Sequence, residues 1–269
     1  GDAGVLKALA ELYEREGDMM GLARTLRRKL EADREAADAQ ASAEGQEPAA
    51  PSQWPTATRV ERLTTLRRLA TMFDTQLDDL EGLVWACTAI LELLPGDRDA
   101  LKRMETKLEA AGDHERLEQT LEYHAEAATG PAERGKILRW LAKLAQERND
   151  DALALDRWER TLAASPGDKE ALDTLADLYE RANRYQDLAR VLERKIAAES
   201  RAQAGTPRAA TQAFELKRYA HTVDEQLGDR DRAKKAWREV LEIFARDREA
   251  LEALALLYEA DEEWRPLAD

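Results

Sequence analysis

The sequence holds three histidines, His114, His124 and His221, and one cysteine, Cys87. These residue types supply neutral-pH bases, thiol nucleophiles and zinc ligands. No histidine stands at metal-ligand spacing from another or from the cysteine. A lone cysteine also excludes an intramolecular disulfide and a cysteine zinc site. No glycine-rich run links a strand pattern to a helix pattern, as a phosphate-binding loop requires. The acid-rich runs NDDALALD, from Asn149, and GDRDR, from Gly228, lack the glycine and the terminal glutamate of a calcium loop. They are expected to cap helices. The sequence therefore predicts no catalytic residue, no metal site and no cofactor.

A different chemistry recurs. Arg68, Arg139 and Arg218 stand at one equivalent position of three related segments, beginning RLTTLRRLATMF, KILRWLAKLAQE and AFELKRYAHTVD. Lys7 and Lys102 take the corresponding place in two further segments, and Lys136 and Lys143 flank Arg139. The planar guanidinium fork suits a carboxylate partner. Arg68, Lys102, Lys136, Arg139, Lys143 and Arg218 are thus the candidate partner-binding residues. Asp173 and Glu252 occupy the same position in the last two segments. A ladder of intramolecular ion pairs, for example with Glu109 or Glu180, accounts for the arginines equally well.

These positions must be held by helices. From Lys169 to Ser200, Leu172, Leu175, Leu178 and Tyr179 mark one face at helical spacing. ANRY breaks the pattern, and Leu188, Val191, Leu192 and Ile196 resume it. Similar hairpins open at Val5, Leu101 and Leu251, and a second hairpin type alternates with them, giving six full hairpins and a truncated seventh. One hairpin cannot bury its apolar face alone, so stacking completes the core. The prediction is a first hairpin over residues 1–33, a flexible Ala/Gln/Pro-rich linker over 34–58, and an array of about five full hairpins plus the truncated one over 59–269. The linker is expected to be most mobile from about Ala36 to Pro55, because its composition buries little apolar surface. Its one large apolar residue, Trp54, is expected to tuck onto a neighbouring helix. A smaller insertion lies around AQAGTP, from Ala202. Gly1 and Asp2 resemble the PGD that precedes two other hairpins, and the last hairpin stops at Asp269, so the chain reads as a piece of a longer array.

The formal net charge is −14, with 36% charged residues. The acidic excess serves solubility and opposes binding to a nucleic-acid backbone or an anionic membrane. No apolar run reaches the length of a bilayer span. Cysteine usage leaves cytoplasm and periplasm both open, with the cytoplasm favoured.

The chain resembles the tetratricopeptide repeat family over nearly its whole length outside the linkers. The first part of the family pattern is matched by Leu172, Leu175, Ala176 and Tyr179, by Leu6, Leu9, Ala10 and Tyr13, and by Leu251, Leu254, Ala255 and Tyr258. The second part is matched by Ala154, Trp158, Thr161 and Pro166, by Ala233, Trp237 and Val240, and by Leu83, Cys87, Ile90 and Pro95. Leucine replaces the small residue at Leu22, Leu117 and Leu188, and tryptophan opens no repeat. Cys87 falls where Trp158 and Trp237 fall and so reads as a packed hydrophobe. The long degenerate array and Ala/Arg/Glu-rich composition resemble bacterial examples.

The resemblance implies an all-α fold, a right-handed α-solenoid of stacked antiparallel hairpins, whose first helices line a concave groove. It implies a non-enzymatic scaffold that holds a protein or peptide segment there, with acidic or C-terminal carboxylate groups facing the basic row. The alternatives are a substrate-presenting or regulatory arm of a larger enzyme, or a structural subunit of an envelope or filament assembly. Self-association through exposed solenoid ends is a further expectation; nucleic acid and membrane insertion are not expected.

Overall fold

The computed structural model describes residues 2–45, 47–198 and 207–261, and all regular structure among them is helical. The chain divides into two compact units, Gly1–Gly130 and Pro131–Asp269. The first holds α1 (Asp2–Glu16), α2 (Met19–Ala43), α3 (Thr56–Thr75), α4 (Leu80–Leu93), α5 (Arg98–Ala111) and α6 (His114–Ala127). The second holds α7 (Pro131–Glu147), α8 (Asp151–Ala164), α9 (Lys169–Arg181) and α10 (Tyr185–Ala198). It continues with α11 (Pro207–His221), a π turn over Thr222–Gln226, α12 (Arg230–Ile243) and α13 (Arg248–Ala260). Within each unit a helix packs chiefly on its neighbours in sequence, so successive pairs form stacked hairpins. The odd-numbered helices are the first helices of these pairs.

One backbone device makes the six turns. Each hairpin has a single residue in the left-handed region between its two helices: Gly17, Asp78, Gly112, Asn149, Asn183 and Gly228. Glycine reaches that region freely, and Asn and Asp tolerate it better than other side chains. In the α5–α6 turn, Gly112 at φ 68° sends its N–H back to the carbonyls of Leu108 and Glu109, ending the first helix. In five of the six turns the next residue is an aspartate. Asp18, Asp79, Asp113, Asp150 and Asp229 accept the backbone N–H three positions on and so begin α2, α4, α6, α8 and α12. The runs NDDALALD and GDRDR therefore cap helices.

The residues of the second motif part build the core. Trp158, Trp237 and Cys87 are all but inaccessible to solvent. The Trp158 indole N–H donates to Gln146 Oε1 at 3.0 Å, so the buried ring leaves no polar atom unsatisfied. Burial pushes the Cys87 thiol up to about 12, far from thiolate chemistry at neutral pH. Leu22, Leu117 and Leu188 are equally buried, so leucine serves where the family pattern has a small residue.

The array differs from expectation at three places. In α1, Leu6, Leu9, Ala10 and Tyr13 are only half-buried, where α1 packs chiefly on α2. Leu251 of α13 is 48% exposed, whereas its counterpart Leu172 is buried; the segment expected to follow as a second helix, 262–269, lies outside the described residues. Most of the AQAGTP insertion, 202–206, lies outside them too. The third difference concerns the linker. Helix α2 runs 25 residues to Ala43 and so takes up much of the segment expected to be flexible. Its second half, EADREAADAQASA, has no continuous apolar stripe. Alanine, glutamate, arginine and glutamine are strong helix formers without one, and an Arg34–Asp38 pair one turn apart adds to this. Only the stretch from about 47 to Pro55 is non-helical apart from a 3₁₀ turn at Pro51–Gln53.

Truncating Trp158 to alanine should destabilise the protein by about 3–5 kcal/mol. The check is urea unfolding, with the midpoint lowered and the slope unchanged.

Candidate functional site

The candidate residues lie on first helices, α3, α5, α7 and α11. In the first unit Arg68 of α3 reaches back to Glu14 of α1 at 2.7 Å. Its neighbour Arg67 reaches forward to Asp97, the N-cap of α5, also at 2.7 Å. Asp97 thus takes two kinds of donor, the Ala100 backbone N–H and the Arg67 guanidinium. Burial raises its pKa, but these donors outweigh that and hold the carboxyl below its usual range. Lys102 of α5 and Lys7 of α1 are exposed and have no ion pair among the described residues.

In the second unit Arg139 of α7 pairs with Asp168, the N-cap of α9, and lies 3.7 Å from Glu170. Lys143 takes Glu170 at 2.7 Å. Arg218 of α11 reaches back to α9, to Asp177 at 3.0 Å and Glu180 at 2.5 Å. Lys217 beside it reaches forward to Asp247, the N-cap of α13, at 2.7 Å. Lys136 is exposed and has no ion pair among the described residues.

Arg68, Arg139, Lys143 and Arg218 therefore sit in ion pairs between successive first helices. Glu180 is among their partners; Glu109 is not. Of the acids at the equivalent position, Asp173 pairs with Lys195 at 2.7 Å and Glu252 with Arg248 at 2.6 Å. First helices of the second unit alternate in sign, α7 and α11 basic where α9 is acidic.

Sequence reasoning missed the forward joints made by Arg67 and Lys217. Their signal was present: each precedes a capping aspartate by the same interval, whereas Arg139 makes that joint from one position later. On the second-helix side the joints differ in chemistry. The Tyr179 hydroxyl donates to Glu159 at 2.6 Å, and the Tyr219 hydroxyl donates to Glu193 at 2.5 Å.

The histidines do not converge. His124 Nδ1 lies 2.6 Å from Glu105 in the first unit, while His221 belongs to the second. Among the described residues no group of three or more His, Cys, Asp or Glu is arranged to hold a metal ion. Among them, too, no helix is long and apolar enough to cross a membrane. His221 stands at the start of the π turn, edge-on to Trp237 with ring centroids 5.0 Å apart. Both its nitrogens face carboxylates, Nδ1 at 2.9 Å from Glu225 and Nε2 at 3.0 Å from Glu249 of α13. Burial opposes the charged ring, but Glu249 and Glu225 outweigh it and raise the pKa above its ordinary value.

No protein-family model matches the chain, and no curated protein matches it. It is similar to several solved structures. One is a tetratricopeptide repeat protein from Parabacteroides merdae, at 17% identity and a TM-score of 0.38 over 76% of this chain and 75% of that one. Pseudomonas aeruginosa PilF is another, at 16% identity and a TM-score of 0.36 over 94% and 97%. A third is YrrB, a tetratricopeptide repeat protein with an unusual peptide-binding site, at 13% identity and 0.36 over 72% and 91%. The stacked hairpins, with Trp158, Trp237 and Cys87 buried at one motif position, make the present fold a tetratricopeptide-type array.

A pKa raised by folding means stabilisation that is complete below the unfolded value, about 6.5, and lost as pH rises through the folded value. The ring is half exposed, so the effect is small. Wild type should gain about 0.5 kcal/mol over His221→Gln at pH 6 relative to pH 9. Paired denaturation curves at the two pH values measure this, and taking the difference cancels the change in packing on Trp237.

Proposed function

We propose that the protein is a non-enzymatic interaction scaffold that holds a peptide or protein segment against the exposed faces of its first helices. One observation carries this reading. In a chain of net charge −14, Arg68, Arg139 and Arg218 are engaged by acids of neighbouring helices, yet Lys102 in one unit and Lys136 in the other stand exposed without an ion partner among the described residues. A cation left without an acid in an acidic protein is available to a partner's carboxylate. Each unit also holds a guanidinium in an ion pair, Arg68 in the first and Arg139 in the second, so a segment laid on the first helices of either unit meets a pre-positioned group. Acidic surface elsewhere would repel the same partner and orient it. A partner with acidic or C-terminal carboxylate groups fits this arrangement, and no cofactor enters the reading.

The test is charge reversal at Lys102 and Lys136, which breaks no internal joint. Lys102→Glu and Lys136→Glu should leave the melting curve unchanged. The double variant should recover less than about a tenth of the partners that wild type captures by cross-linking in extract of its own cells, since two reversed contacts exceed one tenfold step. Control reversals on the second helices should leave capture intact. Equal recovery by the double variant would remove the first-helix faces as the binding surface.

A further inference from the structure

A cavity of about 340 Å³ lies in the first unit where the non-helical stretch crosses between α2 and α3. None of Arg68, Lys102, Lys136, Arg139, Lys143 and Arg218 lines it. Leu26 and Leu30 of α2 supply one apolar wall, and Trp54 and Pro55 supply another. The Trp54 ring is held in place: its indole N–H donates to the Ala49 carbonyl at 3.0 Å, and it is half-buried. An aromatic wall fixed in this way, facing aliphatic side chains across a space of this size, is what a small apolar body requires.

The polar groups at the cavity are unevenly satisfied. Arg62 of α3 lines it and is half-buried, with its guanidinium carbon 5.2 Å from the centre of the Trp54 ring. That ring is the Arg62 head group's sole specific contact: it has no hydrogen bond and no ion pair among the described residues. A guanidinium carries five donors, and none of those of Arg62 has an acceptor among the described residues. Burial, with help from the Arg34 charge, holds the Arg62 pKa below its usual range; Asp33, Glu92 and Asp38 oppose this without bonding to it. Lys29 also lines the cavity. Its nearest acid is Glu61 at 3.9 Å, too far for a hydrogen bond, and Glu61 is 79% exposed at the mouth. Asp33 lines the cavity as well, from the exposed side of α2.

We propose that this cavity is a binding site for a small organic carboxylate. Its apolar body lies between Trp54 and the leucines of α2, and its carboxylate is taken by Arg62 with Lys29 as the second cation. A carboxylate offers the Arg62 fork two acceptors in one plane. The apolar walls reject an inorganic anion, which would leave them wet, and the unpaired guanidinium disfavours a neutral apolar ligand. The cavity's volume sits at the small end of ligand sites, which favours a free acid over a chain passing through.

The probes are 4-phenylbutyrate and decanoate, each compared with its own primary amide, and a short peptide ending in phenylalanine with a free carboxylate. Binding to the full chain is followed by calorimetry and by the Trp54 indole N–H resonance, assigned by its loss in Trp54→Phe. At least one free acid should shift that resonance and bind at least about tenfold more tightly than its amide. Arg62→Gln should weaken that acid by at least about tenfold while leaving the circular dichroism spectrum and melting curve unchanged. Three results would overturn the proposal: no acid moving the Trp54 signal at up to about 1 mM, amides binding as well as acids, or Arg62→Gln binding as wild type does. Tighter binding of the peptide than of either free acid would overturn the assignment to a small molecule.

Discussion

The aspartate at the start of a helix is the constraint on which the array depends. Between the hairpins, Asp97, Asp168 and Asp247 each end a turn, satisfy a backbone N–H of the next first helix and receive a cation from the first helix before. One carboxylate thereby ties local structure to stacking. Losing such a cap costs about 0.5–2 kcal/mol, and here the loss would also strand a cation from the neighbouring hairpin. Within the hairpins the companion device is the left-handed residue, which reverses the chain before the capping aspartate begins the second helix. The α9–α10 turn departs from it: Asn183 is left-handed, but Arg184 follows, and its guanidinium sits over the Tyr179 ring.

Much of this was legible in the sequence because packing repeats. Trp158, Trp237 and Cys87 recur at one place in the second hairpin type, and a site that accepts tryptophan or cysteine alike announces burial more than chemistry. The length of α2 was not legible from periodicity. An exposed helix needs no apolar stripe when its residues are good helix formers, so a stretch such as EADREAADAQASA carries little pattern to detect. The exposure of Leu251 was hidden too, since its motif position is the same as that of the buried Leu172.

The charged face was legible as a row but not as a set of joints. Position alone places Arg68, Arg139 and Arg218 together, yet a long side chain at one position can reach either way along the array. Arg68 and Arg218 turn back to the preceding first helix while Arg139 turns forward. The joint between Trp54 and Arg62 was likewise invisible, since it depends on how the non-helical stretch crosses α3. Tucking of Trp54 onto a helix was expected; that its partner would be an otherwise unsatisfied guanidinium was not.

The pairing of each helix with its sequence neighbours has a consequence for synthesis. Contacts of short sequence separation keep contact order low, and low contact order shortens the conformational search. A hairpin that has left the ribosome already has the turn residue and, in five cases of six, the aspartate that its second helix requires. It needs little from the chain still to come beyond the next hairpin to cover its apolar edge. The array is therefore suited to vectorial folding, in which each new hairpin is templated by the one before.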